Sequence, residues 1–161
     1  MKIGSVGEKN EFGEYHGGYG TEYGKYVSKL TKCPFCEKDE TEILAQTKLA
    51  YVTISNFPRS TYELLVNPKR HITSLLDITS EEMMEIQKLI KKTVFILKKL
   101  GEDNISILVR EGILGKGKTI NHTHYIISNA PSKLINQRSD KREQITKQEI
   151  KEIKTRLEKY Y

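Results

Sequence analysis

The sequence lacks any apolar run near the roughly 20 residues that a helix needs to cross a bilayer. Its most hydrophobic helical stretch, "KLIKKTVFILKKL", is broken by lysines every few positions. The first ten residues, "MKIGSVGEKN", have no apolar core of the kind a secretion signal carries. A membrane-spanning role is therefore excluded for these segments, and a cytoplasmic location is the expectation. Cysteine is scarce, with two residues, and histidine nearly so, with four. Any chemistry built on thiols or imidazoles must use Cys33, Cys36, His16, His71, His122 and His124. Acidic residues are outnumbered 27 to 21 by lysine and arginine, which gives a net charge of +6. This balance favours anionic partners in general, nucleotides and nucleic acid among them. Because the lysines fall mainly on predicted helix faces, it equally describes a solvated surface. Nothing beyond charge points to nucleic acid.

What is present reads as one domain of 161 residues with a tail. Residues 1–28, including "GEYHGGYGTEYGKY", are rich in glycine and tyrosine and follow no period of two or 3.6, so a poorly ordered arm is expected there. His16 lies in it alone. Residues 29–161 hold the domain. Strands are predicted over Glu42–Thr47, Ala50–Ser55 and Tyr62–Asn67, the last two joined by the turn "NFPRS" and so paired antiparallel. A helical turn follows at "HITSLL". The clearest helix starts at a capping box of Thr79 and Glu82 with an Ile78–Met83 staple. Met83, Ile86, Leu89, Ile90, Leu97 and Leu100 line one face, and Gly101 stops it. A strand over Ile105–Val109, a loop "REGILGKGK" and a strand over Thr119–Ser128 come next. A final helix repeats the box at Thr146 and Glu149 and the staple at Ile145 and Ile150, with Ile153 and Leu157 continuing the apolar stripe. Neighbouring strands interrupted by one long helix predict an α+β fold with helices against one antiparallel sheet.

The segment "CPFC", Cys33 to Cys36, admits three readings. As a redox pair it should open a helix after an apolar strand, but "VSKLTK" precedes it and "EKDETE" follows, neither of which fits. As half of a zinc site it needs two further ligands from distant histidines. It can also be two inert thiols. In "TINHTHYIIS" strand alternation places Ile120, His122, His124 and Ile126 on one face, so both imidazoles point the same way. The isolated pair is read equally well as two satisfied sheet histidines.

Taken together, "LVNPKRHITSLLDIT", a helix, "ISILVREG" and "GKGKTINHTHYIIS" resemble the histidine-triad (HIT) superfamily in order and spacing across roughly residues 31–130. "FPRSTYELLVNPKRH" is also similar to its galactose-1-phosphate uridylyltransferase branch. The resemblance implies a zinc ion held by Cys33, Cys36, His71 and His122. Two cysteines and two histidines form a closed tetrahedral shell of the structural kind, with chemistry placed elsewhere. It also implies that His124 is the nucleophile, attacking the α-phosphorus of a nucleotide to give a covalent nucleotidyl-histidine. Neutral imidazole suits that role near pH 7. Asn56, Arg110, Lys116, Gly117, Lys118 and Thr119 are the implied substrate contacts, with Gly112, Gly115 and Gly117 allowing close backbone approach. A homodimer is a further implication.

The sequence departs from the family at the third triad position, where Ile126 stands in place of histidine, or of the glutamine of uridylyltransferases. Isoleucine donates nothing to a phosphate oxygen, and losing one such donor costs ~10²-fold or more in rate. Arg110, where the family has asparagine, is the candidate replacement. The leading expectation is a nucleotidyl hydrolase or transferase working through His124. The alternatives are a HIT-like module that binds a nucleotide or a nucleic-acid end without turnover, and a thiol oxidoreductase using Cys33.

Overall fold

The computed structural model describes residues 22–111, 119–130 and 142–161. The described residues form ten elements. Helix α1 (Glu22–Ser28) and a 3-10 turn (Glu40–Glu42) precede strands β1 (Ile43–Gln46), β2 (Ala50–Ile54) and β3 (Glu63–Pro68). A second 3-10 turn (Leu75–Asp77) leads into helix α2 (Ser80–Lys99), then β4 (Ser106–Val109), β5 (Tyr125–Ser128) and helix α3 (Lys147–Glu158). The five strands form one sheet in the order β1-β2-β3-β5-β4, and every pair is antiparallel. This is the α+β arrangement expected from the sequence. No helix among the described residues is long and apolar enough to cross a membrane.

Alternation along the central strands sends Val52, Ile54, Leu64, Val66, Tyr125 and Ile127 to one face, where they meet Ile86, Leu89, Ile96 and Leu97 of α2 and Leu157 of α3. Both helices start on complete capping boxes, Thr79 with Glu82 and Thr146 with Glu149, as the sequence predicts. The predicted stripe on α2 is buried at Ile86, Leu89 and Leu97, with Ile96 and Thr93 added, whereas Met83 stays exposed. Gly101 takes φ 88°, the left-handed backbone that ends a helix.

The opposite face carries Tyr51, Thr53, Glu63, Leu65, Asn67, Ile126 and Ser128, and it too is buried. Antiparallel sheets commonly leave one face to water. Helix α1 packs Tyr23 and Val27 with Phe57 and Ile120 in a second apolar cluster.

Two expectations require correction. The arm assigned to residues 1–28 ends in a helix over its last seven residues, while residues 1–21, His16 included, lie outside the described residues. Glycine and tyrosine give this stretch weak helix propensity, and tertiary burial of Tyr23 and Val27, one turn apart, supplies what propensity does not. The strand expected over Thr119–Ser128 is regular only at Tyr125–Ser128. Upstream, the Thr123 N–H donates to the Ile72 carbonyl at 2.6 Å, beyond the end of β3. The histidine-bearing segment therefore follows the loop after β3 rather than a strand ladder.

Candidate metal centre and active site

Three chain segments distant in sequence meet at the end of β3. The turn at Cys33–Cys36 is closed by backbone N–H groups of Cys36 and Glu37, which donate to the Cys33 carbonyl at 3.1 and 3.2 Å. Tyr51 of β2 donates its hydroxyl to the Phe35 carbonyl at 2.6 Å and fixes the turn on the sheet. Burial, with the Cys33 and Cys36 thiols adding to it, raises the Tyr51 pKa, so the phenol stays a donor. His71 follows β3, and His122 comes from the segment before β5.

The Cys33, Cys36, His71 and His122 ligand atoms all lie within 4.8 Å of one another. His122 Nδ1 is 3.3 Å from Cys33 Sγ and 3.6 Å from Cys36 Sγ, and His71 Nδ1 is 3.3 Å from Cys36 Sγ. Tetrahedral coordination with metal–sulfur near 2.3 Å and metal–nitrogen near 2.05 Å sets each S···N edge at about 3.5 Å. The donor set and its spacing thus fit a four-coordinate ion. The tautomer agrees. His122 Nε2 stands 3.1 Å from the Pro68 carbonyl, which can only accept. The proton is therefore on Nε2, and Nδ1 turns its lone pair to the sulfurs. Burial, then the neighbouring Cys33 thiol, push the Cys36 thiol up to about 12. A cation bound between the sulfurs reverses that penalty, since a coordinating thiol is deprotonated.

His124 stands beside this centre, half-buried where His122 is fully enclosed. Its Nδ1 is 2.8 Å from the His122 carbonyl. By the same reasoning Nδ1 carries the proton and Nε2 keeps the lone pair. The Phe35 ring packs against both imidazoles, with centroids 5.5 Å from His122 and 4.9 Å from His124. The metal turn and His124 are thereby in direct contact. Phe35 was visible inside "CPFC", but nothing in its spacing marked it as more than filler.

The other residues of interest divide by position. Arg110 directly follows Val109, which pairs with Tyr125, the residue after His124. Thr119 accepts or donates at 2.5 Å to the Tyr23 hydroxyl. Asn56 lies at the opposite end of the β2–β3 hairpin from His71, where its carbonyl accepts from Ile145 N–H at 3.0 Å. Lys116, Gly117 and Lys118, with Gly112 and Gly115, lie outside the described residues. Ile126 is 7% exposed and sits in the ladder between Leu65 and Leu108.

Comparison with known proteins matches the HIT domain family model over residues 37–129. An uncharacterized HIT-like protein of Methanocaldococcus jannaschii is 35% identical over 101 residues, covering 59% of this chain and 76% of that protein. The galactose-1-phosphate uridylyltransferase of Thermotoga maritima is 32% identical over 71 residues, 42% of this chain but 22% of the transferase. An adenosine 5'-monophosphoramidase of Schizosaccharomyces pombe is 28% identical over 104 residues, 62% of this chain and 75% of the enzyme. Among solved structures, a hypothetical histidine triad nucleotide-binding protein of Sulfolobus tokodaii superposes with a TM-score of 0.63 at 20% identity, covering 80% of this chain and 91% of that one. The matched span holds the sheet, the long helix, His71, His122 and His124, and on it the chain belongs to the HIT domain family.

Proposed function

We propose that this protein is a nucleotide hydrolase or nucleotidyltransferase in which His124 attacks the α-phosphorus of a nucleotide conjugate. The observation that carries the reading is the bond between His124 Nδ1 and the His122 carbonyl. It holds the neutral imidazole in the tautomer whose Nε2 has the lone pair, and it offers an acceptor as positive charge builds on the ring. In the first step Nε2 forms a bond to phosphorus, and the bond from phosphorus to the leaving group breaks, its electron pair departing with that group. In the second, an oxygen of water or of another acceptor bonds to phosphorus, and the N–P bond returns its pair to Nε2. Arg110 supplies donors to the phosphate oxygens in place of the absent third histidine. The monophosphoramidase and uridylyltransferase named among the relatives support a hydrolase or a transferase.

Cys33, Cys36, His71 and His122 would hold a zinc ion. When bound it supplies structural crosslinking rather than an open coordination position. His122, Phe35 and the Pro68 carbonyl then orient the segment that presents His124. The cell compartment is proposed to be the cytoplasm and the assembly a homodimer.

A panel of nucleoside phosphoramidates, dinucleoside polyphosphates and nucleotide sugars tests the reading. Turnover of at least one class is expected, with loss of about 10³-fold or more in His124→Ala. The second reading, a nucleotide-binding module without turnover, is favoured by the apolar Ile126. It requires that nucleotide binding survive unchanged in His124→Ala while no class is turned over.

A further inference from the structure

The second face of the sheet holds, at the end away from the metal ligands, more buried positive charge than its described partners balance. Arg59 Nη1 donates to Glu63 Oε1 at 3.0 Å and to Oε2 at 2.9 Å. The Arg59 N–H adds a third bond to Oε2 at 3.2 Å. Their side chains are 8% and 2% exposed. Arg142 reaches the same corner from the segment leading into α3. Its guanidinium stacks 4.0 Å from the Tyr23 ring centroid and interacts electrostatically with both Arg59 and Glu63. Two bonds fasten that segment, Ile145 N–H to the Asn56 carbonyl at 3.0 Å and Gln144 N–H to Glu22 Oε2 at 2.9 Å.

Glu63 is thus paired with Arg59 alone, while Arg142, which bonds the Tyr23 side chain, feels the same carboxylate only through space. Arg59 Nε and Arg142 Nε are both buried with no hydrogen-bond acceptor among the described residues. A buried donor left unmade costs about 1–3 kcal/mol, and an uncompensated buried charge costs more. An anion with several acceptor oxygens removes both costs at once.

We propose that Arg59 and Arg142 form a phosphate-binding subsite separate from His124. Glu63 already presents a carboxylate to Arg59. What remains to be met is a second guanidinium and two Nε donors on different side chains, which a tetrahedral dianion serves better than another planar carboxylate. The hydroxyls of Ser60 and Ser128, 2.9 Å apart, lie at this end of the sheet, where Glu63 pairs with Ser128. Ser128 is three residues along β5 from Tyr125, roughly 10 Å at about 3.4 Å per residue. Where His124 is the nucleophile, as proposed above, this subsite takes a distal phosphate of the leaving group or acceptor; the binding itself depends only on its own residues.

Inorganic phosphate is the probe, titrated calorimetrically into the wild-type protein and His124→Ala against sodium chloride of matched ionic strength. Saturable binding is expected in both, weakened about tenfold or more by Arg142→Gln, with circular dichroism reporting that the variant is folded. Arg142→Lys, which keeps the charge and loses the fork, is expected to fall between, and it carries the test if the glutamine variant does not fold. A folded Arg142→Gln that binds phosphate as tightly as its parent overturns the subsite. So does binding lost in His124→Ala and retained in Arg142→Gln, an outcome that places the phosphate at the histidine and leaves the nucleophile reading standing. Absence of saturable binding in the wild-type protein also overturns it.

Discussion

His124 and Ile126, two residues apart, define the problem at the scale of single side chains. The first has its tautomer set by an acceptor that cannot donate, the His122 carbonyl at 2.8 Å. The second occupies a position whose neighbours across the ladder are Leu65 and Leu108. A polar side chain there would need a partner that those two residues do not offer. In the proposed reaction the charge that develops on phosphate oxygens must be met by another donor, and Arg110, next to the Val109–Tyr125 pair, is the candidate. Arg110→Ala is expected to lower kcat/KM by about 10²-fold with the fold intact, measured on whichever nucleotide class is turned over. Unchanged kinetics would remove Arg110 from the site. The clustering of Cys33, Cys36, His71 and His122 was legible because their residue types and order are distinctive. Phe35, Tyr51, Arg59 and Arg142 were not, because each acts through a contact made only in the folded chain.

Among the elements, α2 is fixed at its N-terminus by more than its capping box. Arg70 Nε and Nη2 donate to Glu82 Oε1 and Oε2, each at 2.8 Å. Arg70 Nη2 also reaches the Asp77 carbonyl at 2.7 Å. One carboxylate therefore joins the helix cap to the residue before His71. The Arg70 guanidinium first, then the Thr79 N–H, hold the Glu82 carboxyl at about 2, below its ordinary 4.5. A depressed pKa in the folded state stabilises fully above the unfolded value, and the contribution is lost as pH falls from about 4.5 through about 2. Glu82→Gln is expected to cost about 2 kcal/mol at neutral pH. In thermal melts the gap from wild type should close as pH falls across that window. A gap that stays constant with pH would contradict the assignment. Both capping boxes and the β2–β3 hairpin were readable because caps and turns are local. Helix α1 and the true start of β5 were not. Burial of Tyr23 and Val27 decides the first, and the bond from Thr123 to Ile72 decides the second.

The whole molecule is a sheet with two different faces. One is closed by α2 and α3 and makes the apolar core. The other carries the buried polar residues Thr53, Glu63, Asn67 and Ser128, and its Tyr51 holds the Cys33–Cys36 turn. A metal ion tying Cys33 and Cys36 to His71 and His122 would crosslink positions 89 residues apart, the separation of Cys33 and His122. Its binding energy would count directly toward the fold of that face. Zinc analysis is expected to give one ion per chain. Chelation, or Cys36→Ser, is expected to lower Tm by on the order of 10 °C. A protein with no bound metal and a Tm indifferent to chelator would contradict the metal centre.

Intact-mass measurement of the protein after brief acid-free quenching with a nucleotide substrate tests the central claim most directly. The account predicts a mass increase equal to one nucleoside monophosphate adduct, labile to acid, mapped to His124 and absent in His124→Ala. Turnover without any such adduct, or an adduct that persists in His124→Ala, would contradict it.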